Sequence, residues 1–181
     1  MKSKDFVKKA LDICDTKTVY VQRAKGEFLN QANKLRLSGA TPFNSTRSEK
    51  IFKVGEDVRA FDELGLVSYV SNKDFKDFGQ LIGFCTDISK NFLDIKPGEI
   101  VFMQDRAGIY VGDGKVVTAS LDGVGVTTVN GWKSHGKLRD LEFVEDEPAV
   151  EVAPEPEEEK TDVDKQESDV VVHNDSRRRR H

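Results

Sequence analysis

The sequence predicts an α+β domain in which helices come first and an antiparallel sheet follows. Three observations predict it. Apolar residues recur at helical spacing through about residue 84, the period turns strand-like after Pro97-Gly98, and turn signals then separate short β-rich runs. The composition of a packed domain ends near residue 144, since residues 1–144 hold all fourteen Gly, all eleven Phe, all three Tyr and Trp132. The whole chain of 181 residues has room for one domain of ordinary size.

Phe6, Val7, Ala10, Leu11 and Cys14 share one face, so residues 3–14 read as an amphipathic helix with Cys14 among its buried residues. A second helical pattern runs from about Lys25 to Leu37, with Phe28, Leu29, Ala32 and Leu35 inward and Arg36 on a charged edge. Pro42 and Asn44 mark a loop, and the hydroxyls of Ser45 and Thr46 can cap a short helix reaching Lys53. Asp62 is placed to N-cap a helix over 63–71, whose buried stripe is Leu64, Leu66, Val67 and Val70. Residues 74–84 form a further helical segment, with Phe75, Phe78, Leu81, Ile82 and Cys85 inward.

Strand-like runs then cover 99–103, 106–112, 115–120, 124–129 and 138–143. Gly112-Asp113-Gly114 is a tight-turn signal, because Asp and Gly supply positive φ at little cost. Gly123 and Gly125 bracket a second turn. The expected architecture is N-terminal helices packed on a small antiparallel sheet.

From residue 145 the chain changes character. This tail carries thirteen Asp/Glu against six Lys/Arg and leaves twenty-two basic and nineteen acidic residues in the body. The net charge of −4 therefore belongs to the tail, and the body stands near +3. With Pro148, Pro154 and Pro156 and no aromatic residue, residues 145–181 bury too little apolar surface to offset the entropy of ordering. A disordered tail is expected, with Val170-Val171-Val172 its one candidate for a docking segment. Its end, Arg177-Arg178-Arg179-Arg180-His181, reads either as a solvated solubility element or as an electrostatic contact. Four arginines neutralise only a few phosphates, so nucleic acid would be held weakly, with salt sensitivity and no sequence readout.

Cys14 and Cys85 make no disulfide framework and match no zinc spacing. No phosphate loop, metal cluster or dinucleotide motif is visible, so no cofactor is expected. The first ten residues are charged throughout and lack the apolar run of a signal peptide. No segment approaches a membrane span. Cytoplasmic synthesis is expected, with a virion or host lysis as the route to any cell surface.

Phe61-Asp62-Glu63-Leu64-Gly65-Leu66-Val67 and Arg106-Ala107-Gly108-Ile109-Tyr110-Val111-Gly112 carry a resemblance. Lys17-Thr18-Val19-Tyr20-Val21, Lys115-Val116-Val117-Thr118-Ala119 and Trp132-Lys133-Ser134-His135-Gly136-Lys137-Leu138 extend it in compatible order. These segments resemble the NlpC-type cysteine hydrolases, papain-like enzymes that cut peptide bonds in bacterial cell walls. The likeness is greatest to a branch found in phages and prophages. It covers most of residues 16–143 and implies a papain-like fold for residues 1–144.

The resemblance places a nucleophilic cysteine at 63, its histidine base at 106 and an orienting polar group at 118, with Tyr20 beside them. Glu63, Arg106 and Thr118 stand there instead. A guanidinium stays protonated near neutral pH and cannot serve as a general base, and glutamate is a poor nucleophile toward an amide. Glu63 and Arg106 are expected to form a salt bridge where a thiolate and an imidazolium would stand. Asp62, Tyr20 and Thr118 would line the remaining cleft. Cys85 with His135 is the one alternative thiol–imidazole pair, and both read as structural positions.

Three functions follow as expectations. One is an inactive binding or structural module, such as a phage virion or accessory protein, with cell-wall peptide or other phage proteins as partners. Another is a peptidoglycan peptidase or amidase with a non-standard site. The third is a nucleic-acid-associated packaging factor acting through Arg177, Arg178, Arg179 and Arg180.

Overall fold

The computed structural model describes residues 1–143. Helix α1 (Ser3–Cys14) opens the chain and turns Phe6, Ala10 and Ile13 inward, an i, i+4, i+7 seam. That seam differs from the expected one. It carries Leu11 to the surface, 38% exposed, and leaves Cys14 half-buried.

Three short strands follow that the hydrophobic pattern does not announce. They are β1 (Thr18–Tyr20), β2 (Lys25–Phe28) and, further on, β3 (Arg59–Phe61). Their order is β1-β3-β2, with β1 parallel and β2 antiparallel to the central β3. The helix expected over 25–37 is thereby corrected: residues 25–28 are strand, and α2 (Gln31–Ser38) begins only after Asn30, whose side chain accepts the Asn33 amide at 2.9 Å. Gly26 explains the break. Its φ of +93° is not helical, and any side chain there would meet the rings of Phe61 and Tyr69. The delayed start also turns Leu35 outward, 69% exposed.

The loop expected at 42–44 is the short helix α3 (Pro42–Thr46), with Pro42 in its first turn and the Thr41 hydroxyl accepting the Asn44 amide at 3.1 Å. The cap is therefore Thr41, not Ser45 or Thr46, and α4 (Ser48–Lys53) starts without a side-chain cap. Asn44 is buried because its amide group is fully used. It accepts the Gln22 amide at 3.1 Å and donates to the carbonyls of Gln22 and Leu37, each at 2.9 Å. One side chain thus ties the helical excursion back to the exit of β1.

Helix α5 (Glu63–Ser71) has the expected bounds and the expected cap, with Leu66, Val67 and Val70 buried. Helix α6 (Phe78–Gly83) is shorter than expected, because Asp77 caps it by accepting the Gln80 amide at 2.8 Å. The remaining strands are β4 (Cys85–Ser89), β5 (Ile100–Met103), β6 (Arg106–Gly112), β7 (Lys115–Ser120), β8 (Gly123–Thr128) and β9 (Ser134–Leu138). They form one antiparallel sheet in the order β4-β9-β5-β6-β7-β8. The last strand lies at 134–138, so the run expected at 138–143 is also corrected. At Gly112-Asp113-Gly114 all three residues have positive φ, which turns β6 back into β7.

Alternation along the strands sorts the core. Ile100, Phe102, Ala107, Ile109, Val117 and Ala119 face α1 and α5, while Val101, Tyr110, Val116 and Trp132 cover the other face. Fully burying a Val, Ile or Phe among them contributes roughly 1.5–3 kcal/mol. Among the described residues no helix is long and apolar enough to cross a membrane. The tail features, including Arg177, Arg178, Arg179 and Arg180, lie outside the described residues.

Gly65 sets how closely α5 approaches the small sheet. A Cβ there would stand 1.9 Å from the Ala24 carbonyl oxygen, a backbone atom that cannot swing aside. Gly65→Ala should therefore cost about 2–3 kcal/mol in urea denaturation. Gly83→Ala, with no atom within 4 Å of its added methyl, should stay within about 0.5 kcal/mol of the parent.

Candidate functional site

The start of α5 is fixed by its own cap. Asp62 Oδ1 accepts the Gly65 amide and Oδ2 the Arg23 amide, both at 2.6 Å, while the Asp62 amide donates to the Ala24 carbonyl at 3.1 Å. Burial raises the carboxyl pKa of Asp62, and these two amide bonds act in the opposite direction. Glu63 is then the first residue of the helix, where the aligned peptide dipoles favour a negative charge.

Two other elements converge on it. Strand β1 pairs with β3 so that Tyr20 sits opposite Phe61, two positions before Glu63. Its hydroxyl donates to Glu63 Oε2 at 2.9 Å. Burial, followed by the adjacent Glu63 charge, pushes the Tyr20 phenol well above its ordinary pKa, so it remains a donor throughout the physiological range. From the first position of β6, Arg106 Nε donates to Glu63 Oε1 at 3.3 Å. Each carboxylate oxygen of Glu63 therefore has a partner. The Glu63 side chain is 12% exposed and that of Arg106 42%.

The structure thus brings Tyr20, Glu63 and Arg106 into one chain of contacts, with Asp62 holding the helix end beneath it. Thr118 stands apart. It is buried, and its hydroxyl donates across the sheet to the Ala107 carbonyl at 2.8 Å instead of reaching the guanidinium. It still borders a cavity with Arg106.

Three adjoining cavities meet at these residues. One of about 780 Å³ is bordered by Tyr20, Asp62 and Glu63 together with Lys25, Lys76 and Asp105. A second, about 460 Å³, is bordered by Tyr20, Glu63, Arg106 and Ser120. The third, about 480 Å³, shares Arg106 and Ser120 with the second and adds Thr118 and Trp132. The Glu63–Arg106 pair stands where they join. Lys25 and Lys76 were not legible as site residues. Both pair with Asp74, whose carboxyl they hold down at about 2, and no periodicity marks such a cluster.

Neither thiol takes part. Cys85 and His135 lie on paired strands, but Cys85 is opposite Leu138 and Ser89 opposite His135. Cys85 packs into the main core, and no hydrogen bond joins its thiol to the imidazole. Both ring nitrogens of His135 are already used: Nδ1 meets the buried Glu99 carboxyl, and Nε2 donates to the Asn91 carbonyl at 2.8 Å. Burial pushes the Cys85 thiol up to about 12 and raises Cys14 as well. Among the described residues no cluster of three or more His, Cys, Asp or Glu side chains could hold a metal ion. No protein-family model matches the chain, and no curated protein matches it.

Two measurements follow. Tyr20→Phe removes a donor from a nearly buried carboxylate and should cost about 1–2 kcal/mol in chemical denaturation. A thiolate is the reactive form, and burial keeps Cys85 protonated at neutral pH. Iodoacetamide at pH 8 should therefore alkylate it at least about tenfold more slowly in the native protein than in urea, as followed by intact mass.

Proposed function

We propose that residues 1 to about 144 form a papain-like, NlpC-type domain without hydrolytic chemistry, acting as a binding or structural module in a phage particle or as a phage accessory protein. One observation carries this reading: the helix-start position where the resemblance puts a thiolate holds Glu63, and the base position holds Arg106 bonded to it. The pair keeps the minus-plus arrangement of a resting thiolate and imidazolium. It supplies neither a nucleophile suited to amides nor a group that can shuttle a proton.

The neighbouring space supports a binding role. A cavity of about 780 Å³ beside Tyr20 and Glu63 falls in the size range of small-ligand sites. A cell-wall peptide is the ligand that the resemblance implies for it. Affinity for muropeptides should then fall when Tyr20 is replaced, as isothermal titration would record, whereas absence of binding to purified sacculi contradicts that part.

Loss of chemistry and survival of the scaffold can be tested together. The purified chain should release no dye from labelled peptidoglycan above buffer. Glu63→Cys with Arg106→His should yield a thiol at least about tenfold more reactive toward iodoacetamide at neutral pH than Cys85, because a helix N-terminus and an imidazolium both favour thiolate. Dye release by the unaltered chain, or an inert thiol in the double variant, refutes the proposal.

A further inference from the structure

The ion pair uses only part of Arg106. Its Nε donates to Glu63, and among the described residues its two Nη groups have no hydrogen-bond partner. A guanidinium offers donors in a rigid plane. With the Nε edge committed, the end-on pair of Nη donors remains, two parallel N–H groups that match the two oxygens of a carboxylate.

The cavity of about 480 Å³ that Arg106 borders has a matching chemistry. Its described lining contains one permanent cation and no Asp or Glu. Asn130 and Thr127 border it, and neither side chain has a protein partner among the described residues; Thr128 accepts the Asn130 amide at 2.9 Å, which leaves its hydroxyl hydrogen free. Trp132 forms an apolar wall. Its ring packs over Gly108, where an added Cβ would stand 3.2 Å from Cη2, and the Arg106 guanidinium lies 5.9 Å from the ring. The cavity therefore joins one fixed cation, several uncommitted donors and an aromatic wall.

We infer that this cavity is a carboxylate-binding site, anchored by the Nη pair of Arg106, for the C-terminus of a short peptide or for a small organic acid. Glu63 does not exhaust the guanidinium, because the bond between them uses only Nε. With one cation partly offset by Glu63, the site suits a monoanion and not a phosphate dianion. The inference rests on the hydrogen bonding of Arg106 and not on papain-like ancestry, so dye release from peptidoglycan would refute the proposed function and leave it standing.

The chain has one tryptophan, and it borders the cavity, so its fluorescence reports occupancy directly. The full chain is titrated with N-acetyl-dialanine, its C-terminal amide, acetate and inorganic phosphate. A saturable change with N-acetyl-dialanine and none with the amide is expected. Equal affinity for acetate assigns the site to small acids, and tighter binding of the dipeptide assigns it to peptide C-termini. Arg106→Gln, shown to be folded by circular dichroism, should weaken binding by roughly ten- to a hundredfold. If that variant does not fold, Asn130→Ala decides, with a several-fold loss expected. The inference is overturned if neither carboxylate gives a saturable change, if the amide binds equally well, or if phosphate binds more tightly. Unchanged affinity in the variant that decides also overturns it.

Discussion

The close approach of the α5 N-terminus to the backbone at Arg23 and Ala24 is the constraint on which the rest of the structure depends. Asp62 accepts the amides of Gly65 and Arg23 and donates its own to Ala24. Gly65 makes the contact possible, since any Cβ would overlap the Ala24 carbonyl. From this junction α5 sends Leu66, Val67 and Val70 into the main core, while Arg23 and Ala24 lead into the small sheet. It also puts residue 63 at a positive helix end, facing both β1 and β6.

The chemistry at that point follows from position. A buried carboxylate is costly unless donors surround it. Glu63 has the helix end, the Tyr20 hydroxyl and the Arg106 guanidinium. The half-exposed arginine limits what the pair adds to stability, because solvent screens it and desolvation offsets attraction. Its larger effect is geometric. It holds the guanidinium beside Glu63, where the cavities adjoin.

Much of this arrangement was legible in the sequence, and the reasons differ by residue. Asp62 and the helix behind it were readable because capping and the Leu66, Val67, Val70 stripe are local signals. The first four strand runs after Pro97 were readable because glycine turns punctuate them, whereas the last was misplaced and lies at Ser134–Leu138. The small sheet was not, since β1 and β3 are three residues each and pair across about forty positions. Residues 25–28 imitate a helix start until the positive φ of Gly26 is known. At the site, the approach of Glu63 to Arg106 was expected only because the family resemblance sets those two positions side by side, since opposite charge alone selects no pair among so many charged residues. The commitment of Thr118 to a backbone carbonyl depends on strand register. The free Nη groups and the cavity lined by Asn130 and Trp132 arise only when β6, β8 and the following loop are assembled.

The central claim is that Glu63 and Arg106 act as a coupled pair at the start of α5. A double-mutant cycle with Glu63→Gln, Arg106→Gln and the combined variant, read by urea denaturation, tests it most directly. The account predicts a favourable coupling of about 0.5–1 kcal/mol that shrinks in high salt. Strictly additive losses at low ionic strength would contradict it.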